Sequence, residues 1–277
     1  MHIEPIAGAL GAEISGIDLS QELTNSDAMA VHDAFLEHKV IFFRDQNLAP
    51  KDQVRLAGMF GEPDIYPFIA GLPGTPEVIE ILKEESDAKN FGGSWHSDTS
   101  YMAQPALGTI LYALETPQAG GDTLFANAGA AYEALSDGMK AMLAGVRGVN
   151  SSDHGYAGGR AAAMAKLDGM KETDEAAKTH INSHPIVRTH PETGGKSLYL
   201  NRSHTARFEG WTDAESKPLI DFLCDHITRP EFTCRFRWSA GAVAVWDNRT
   251  TQHFAVNDYP GKRRRMHRVT LKGDTPR

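Results

Sequence analysis

Two residues of the stretch "GGSWHSDTSY", His96 and Asp98, stand two positions apart and carry donor atoms that a metal ion binds. If the stretch is extended, as its Trp, Ser, Thr and Tyr content suits, alternation sends both side chains to one face. A third donor, His253, lies far off in "VAVWDNRTTQHFAVNDY", where a short apolar strand delivers Trp246 and Asp247 to a turn. Two imidazoles and one carboxylate on one face of an octahedron suit a non-haem Fe(II), because three coordination positions stay open. Two of these can take a bidentate 2-oxo acid and the last can take O2. Zinc accepts the same three donors, so the donors alone leave a zinc hydrolase open. His2-x-Glu4 and His190-x-Glu192 repeat the His-x-acid pattern, but one sits at the terminus and the other in a Pro-Glu-Thr-Gly-Gly turn.

The strand after His253 adds a second kind of chemistry. Period-2 alternation over Arg263 to Leu271 puts Arg264, Met266, Arg268 and Thr270 on one face and Arg263, Arg265, His267 and Val269 on the other. Arg264 and Arg268 are then roughly 13 Å apart along the strand, close enough for both to reach a ligand beside the histidine. Arg263 and Arg265 read as the solvated edge of a basic strand. A planar guanidinium makes paired charge-assisted bonds to a carboxylate, as lysine cannot, and this favours iron with a 2-oxo acid over zinc. Thr123, placed by "AGGDTLF" just after a tight turn, can turn its hydroxyl to the same cavity.

Bulk properties narrow the partners. The 277 residues carry a formal net charge of -8, with 41% hydrophobic and 23% charged residues. That charge speaks against a nucleic-acid partner resting on "RRRMHR", since phosphate binding needs a basic face. There is no basic leader followed by an apolar core, and no run approaches the roughly 20 residues that span a bilayer, so no membrane partner is expected. Cys224 and Cys234 form no C-x-x-C pair, which points to neither a disulfide framework nor a thiolate site and fits a reducing cytoplasm.

The elements that must position these residues are mostly strands. The first twenty residues read as strand, turn, strand; Ser20 to Lys39 as a helix behind a Ser or Thr cap; "VIFFRDQ" as a strand; and Ala49 to Gly61 as a second helix. Residues 61–93 are rich in Gly and Pro with one strand, "EVIEIL", and read as a lid segment. Strands "LGTILYALE" and "LFAN" follow, then one helix or two short ones over Ala130 to Leu143. Residues 151–183 read as an insertion and a second lid segment. The last third returns to strands around a helix over Asp213 to His226. Strands joined by tight turns, with helices gathered near the front, indicate one domain over 1–277, mainly β with helical insertions, a jelly-roll or cupin-like double sheet.

In order along the chain, "WHSDTSY", "GGDTLFAN", "AAYEALS", "HPIVRTHPETGGKSLYLN", "RPEFTCRFRW", "VAVWDNRTTQHFAVNDY" and "RRRMHRVTL" resemble the taurine dioxygenase and 2,4-dichlorophenoxyacetate dioxygenase family. The likeness runs from about residue 3 to the C-terminus. It implies a double-stranded β-helix in which His96, Asp98 and His253 bind Fe(II), with 2-oxoglutarate and O2 as cosubstrates. Arg264 and Thr123 would hold the distal carboxylate of 2-oxoglutarate, and Arg268 would meet an anionic group of the primary substrate. The family often forms dimers or tetramers, and a homo-oligomer is expected. Its chemistry couples oxidation of 2-oxoglutarate to succinate and CO2 with hydroxylation of a substrate carbon.

The likeness to the taurine-specific branch weakens in the substrate loop. Tyr66 stands where those enzymes carry a histidine, Ile69 where they carry a tyrosine, and Gly92 and Gly93 near where they carry an asparagine. Groups for a small zwitterion are thus missing, and the two glycines read as space. A pocket of Tyr66, Phe68, Ile69 and Tyr101 would instead suit an apolar body on an anion. An alkylsulfonate or alkyl sulfate ranks first and an aryloxyalkanoate second. His154 and His204 are read as surface or supporting groups, with His154, in its Gly-rich loop, able to reach the pocket.

Overall fold

The computed structural model describes residues 1–155 and 171–277. Among these, the larger sheet runs in the order His2–Pro5, Ala12–Ser15, Val40–Phe43, Val243–Asp247, Gly108–Glu115, Arg264–Leu271, Thr75–Lys83 and Gly71–Leu72, with Pro63–Asp64 added on Arg264–Leu271. Neighbours pair antiparallel except Ala12–Ser15 with Val40–Phe43, which run parallel. A three-stranded antiparallel sheet, Thr233–Phe236, Thr123–Asn127 and Thr251–Ala255, packs against it. This is the expected jelly roll, mainly β with helical insertions.

"VIFF" shows why these residues sit where they do. Val40 and Phe42 face the smaller sheet, where Phe42 stacks on Phe236 at 4.0 Å and meets the edge of Phe125 at 5.7 Å. Ile41 and Phe43 face the other way, under the helices that supply Phe35 and Leu56. Both faces are buried, so the strand is an unbroken apolar run and not an alternating one. The helix over them, Asn25–His38, begins at a Thr24 cap that accepts from the Asp27 amide and ends at Lys39, in the left-handed region at φ 66°. It starts later than the expected Ser20, because the cap and not the first polar residue sets the start. The helix expected to reach Gly61 spans only Pro50–Ala57. The stretch after Asn127 forms two short helices, Ala128–Glu133 and Asp137–Leu143, each capped by its own Asn or Ser side chain.

Two segments differ from the sequence expectation. Within 61–93, Thr75–Lys83 is a nine-residue strand inside the larger sheet, longer than "EVIEIL", and Gly71–Leu72 pairs with it. Within 151–183, a 3-10 turn at Asp174–Ala177 and the strand Ile181–Pro185 are ordered elements. Glu172 bridges to Ile69, so the two segments touch. Residues 156–170, at the centre of the expected insertion, lie outside the described residues. No helix of the described residues is long and apolar enough to cross a membrane.

The turn before His253 is braced by a buried ion network. Asp247 accepts from Arg249 Nε at 2.8 Å and Nη2 at 2.6 Å, and from His190 Nε2 at 2.8 Å. His190 Nδ1 accepts from the Glu192 and Thr193 amides, both at 3.2 Å, which fixes the proton on Nε2. This gives the second His-x-acid pattern a bracing place in the turn. Burial alone would raise the Asp247 carboxyl; the Arg249 and His190 hydrogen bonds outweigh it and hold the group well below the usual carboxylate range. Its stabilising effect is therefore present above the unfolded-state value and is lost only as pH falls far into the acid range. Asp247→Asn would leave the 1% exposed Arg249 with Glu192, 2.5 Å from its Nη1, as its remaining carboxylate. A loss of about 1.5–3 kcal/mol is expected, read as a lower denaturant midpoint; an unchanged midpoint would contradict the bracing role.

Candidate active site

His96 and His253 are held by each other's backbone. His96 N donates to His253 O at 3.1 Å and His253 N to His96 O at 2.8 Å, a single bridge that sets the imidazole centroids 4.2 Å apart. Contrary to the expected strand alternation, His96 is an isolated bridge residue, not part of a strand, and Asp98 already belongs to a turn. That turn contains Thr99 at φ 49°, a β-branched residue in the left-handed region. Such a conformation costs on the order of 1–3 kcal/mol and persists only where its surroundings enforce it. Thr99 Oγ1 accepts from the Ala106 amide at 2.9 Å.

The turn brings Asp98 Oδ1 to 3.6 Å from His96 Nε2 and 3.7 Å from His253 Nε2. One ligand atom from each of the three lies within 4.8 Å of the others, and all three residues are buried. The protonation pattern fits an ion. His96 Nδ1 donates to Ser94 O at 2.7 Å, which turns Nε2 toward Asp98. Burial, with His96 next to it, holds the His253 imidazole well below its ordinary value, so it stays neutral. Burial would raise the Asp98 carboxyl, but Arg268 first, then His253 and His96, bring it well below the usual range. Two imidazoles and one carboxylate, converging in a buried space, are the donors a divalent cation takes. Cys224 and Cys234 are free and buried, and burial pushes both thiols up to about 12, so neither offers a thiolate.

The other expected residues gather around this triad in two adjoining cavities. One is lined by Tyr66, Phe68, Ile69 and Tyr101 together with His96 and Asp98. The other is lined by Thr123, Arg264 and Arg268 together with His253 and Trp246. Phe91, Gly92 and His96 line both. Arg264 and Arg268 are 6% and 4% exposed, whereas Arg263 and Arg265 pair with Glu84, Glu115 and Glu80 toward solvent, as alternation predicts. Arg264 lies 5.6 Å from the Trp238 ring, and its Nε and Nη2 are buried without a hydrogen-bond partner among the described residues. Trp238 Nε1 donates to Thr123 Oγ1 at 2.9 Å, leaving the threonine proton available to the cavity. Arg268 stands at the boundary of the two cavities, 4.9 Å from the Tyr66 ring. Its Nη2 is 3.0 Å from Asp98 Oδ1, an ion pair off the hydrogen-bond direction.

Two sequence readings change. Gly93 does not open the site: it lines a different cavity, with Ser94 and Trp95. Gly92 does line the site, but at φ 78° a Cβ there would lie 3.3 Å from His96 Cε1, so it grants close approach of backbone to imidazole more than free room. Gly92→Ala is expected to cost about 1–2 kcal/mol and to raise the Fe(II) concentration that half-saturates the enzyme; an unchanged metal titration would refute the contact. His204 also lines the first cavity, with its Nδ1 2.9 Å from Ser100 Oγ and its ring edge-on to Tyr101 at 4.9 Å. Nothing in its sequence context signals this, since the turn that carries it meets the His-x-Asp turn only in space.

The model of the family described as "Taurine catabolism dioxygenase TauD, TfdA family" matches residues 2–270. An "Alkylsulfatase" of Acinetobacter baylyi is 39% identical over 277 residues, covering 99% of this chain and 86% of the relative. An "Alpha-ketoglutarate-dependent sulfate ester dioxygenase" of Pseudomonas putida is 36% identical over 278 residues, covering 100% and 91%. Among solved structures, a taurine dioxygenase from Burkholderia xenovorans superposes with a TM-score of 0.83 at 36% identity, covering 99% of this chain and 92% of that one.

Proposed function

Because this chain belongs to the TauD, TfdA family of 2-oxoglutarate-dependent dioxygenases, we propose that it oxidises an alkyl sulfate ester, or failing that an alkylsulfonate, at the carbon bearing the sulfur-containing group. The observation that supports this reading is the pair of buried arginines on one strand face, Arg264 without a hydrogen-bond partner among the described residues and Arg268 between Asp98 and the Tyr66 ring. Each would take one organic anion.

His96, Asp98 and His253 would hold Fe(II), which when bound supplies the site for a chelating 2-oxo acid and for reduction of O2. Arg264, with the Thr123 proton, binds the distal carboxylate of 2-oxoglutarate, where a buried orphan guanidinium strongly favours an anion. Arg268 binds the sulfate across Tyr66, while Phe68, Ile69 and Tyr101 take the alkyl chain and exclude water from its first carbon. The overall change balances as R–CH2–OSO3⁻ plus 2-oxoglutarate plus O2 giving R–CHO, HSO4⁻, succinate and CO2. The hydroxylated carbon bears both OH and sulfate, and the C–O bond to sulfate breaks as the hydroxyl proton leaves and the carbonyl forms.

Substrate-dependent succinate formation across alkyl sulfates, alkylsulfonates and aryloxyalkanoates tests the reading. Alkyl sulfates are expected to give the highest kcat/KM. Higher values for aryloxyalkanoates would move the assignment to that substrate class and overturn the sulfate reading.

A further inference from the structure

Resting on the dioxygenase reading, we infer that Asn248 and Thr109 are positioning residues that confine Asp98 to one-oxygen coordination and so keep the cosubstrate and O2 positions open. Asp98 Oδ2 accepts from Thr109 Oγ1 at 2.8 Å and from Asn248 Nδ2 at 3.2 Å. A carboxylate oxygen has two lone pairs in the plane, and both are taken. Oδ1, the other oxygen, faces His96 Nε2 and His253 Nε2, with Arg268 Nη2 at 3.0 Å off the hydrogen-bond direction.

The direction of the Asn248 amide follows from its neighbours. Its Oδ1 accepts from the Asp98 amide at 3.2 Å and from Trp246 Nε1 at 3.1 Å, and both partners can only donate. The NH2 end must therefore face Asp98 Oδ2 and Thr109, whose Oγ1 it also reaches at 3.1 Å. A single side chain, 0% exposed, thus ties the Asp98 backbone, the Asp98 carboxylate and the strand Gly108–Glu115 to the turn that leads to His253. Neither aspartate nor leucine could do this, since one lacks the donor and the other lacks both functions.

The consequence is one of counting positions. Were Fe(II) held by His96, His253 and one Asp98 oxygen, three positions would stay free, enough for a bidentate 2-oxo acid and O2. If Oδ2 were released, the carboxylate could chelate through both oxygens, and only two positions would remain. The cosubstrate and O2 would then compete.

The test compares full-length Thr109→Val, which keeps the side-chain volume but removes the donor, with Thr109→Ser, which keeps the donor, and with Thr109→Val/Asn248→Ala. Each is loaded anaerobically with Fe(II) and titrated with 2-oxoglutarate, following the visible charge-transfer band, and its thermal midpoint is recorded. Thr109→Val is expected to need about 10- to 100-fold more 2-oxoglutarate for half the band, in the range that loss of a supporting hydrogen bond produces. Thr109→Ser should match the parent, and the double variant should be weaker than Thr109→Val. In air, succinate formed per substrate consumed should rise in the valine variant. If folded Thr109→Val titrates like the parent, the inference is wrong even though the dioxygenase reading stands; a parent enzyme that shows no band sinks both. Should the double variant not fold, the valine and serine pair alone decides.

Discussion

Asp98→Ala is expected to eliminate Fe(II)-dependent succinate formation and the anaerobic band given by Fe(II) with 2-oxoglutarate, while leaving Arg268 buried without its anion. The first effect follows from the ligand set: two imidazoles remain, and the only carboxylate of the triad is gone. The loss should exceed the roughly 100-fold that changes outside the ligand set produce. The second follows from electrostatics. Arg268 is 5% exposed at its side chain and its close carboxylate is Asp98, so removing that carboxylate leaves an uncompensated buried charge costing about 3–5 kcal/mol. Asp98→Ala should therefore be both inactive and less stable, whereas His96→Ala should be inactive with a smaller loss of stability. Equal O2 consumption by Asp98→Ala and parent would contradict the ligand assignment.

Arg264→Ala and Arg268→Ala should fail in different ways. Arg264→Ala is expected to raise the 2-oxoglutarate requirement at least ~30-fold, since truncating one partner of a buried charge-assisted contact costs about 2 kcal/mol or more. Arg268→Ala is expected to raise KM for the alkyl sulfate by a similar factor while the 2-oxoglutarate titration is preserved. Arg268 also helps to hold the Asp98 carboxyl low against the effect of burial. Without it that carboxyl rises, so Fe(II) binding in Arg268→Ala should begin to fall at a higher pH than in the parent as the solution is acidified. If Arg268→Ala instead abolishes 2-oxoglutarate binding and Arg264→Ala spares it, the two roles are exchanged.

The chemistry of the site was legible because it is carried by residue type. Two histidines, an aspartate and two alternating arginines have few other uses in a buried place, and the flanking motifs carry the family likeness. Their geometry was less so. His96 and His253 meet through one reciprocal backbone bridge across a long stretch of chain, and Asp98 turns inward through a left-handed Thr99; neither leaves a periodic trace. The strand Thr75–Lys83 looks short in the sequence because Pro73, Gly74 and Pro76 precede or interrupt it, yet the ladder to Arg264–Leu271 overrides that signal. Gly92 stands out in the sequence as space, whereas in the fold it matters for its φ of 78° beside an imidazole. Asn248 lies between two charged residues, Asp247 and Arg249, that draw more notice. An asparagine offering a donor and an acceptor next to a ligand strand was the available clue.

The most direct measurement is the identity of the organic product made from an alkyl sulfate with Fe(II) and 2-oxoglutarate, in air and under argon. Oxidation at the sulfated carbon yields the aldehyde, with sulfate and succinate in equal amounts, and nothing forms under argon. An alcohol released equally well without O2 would mean hydrolysis of the ester and would contradict the assignment.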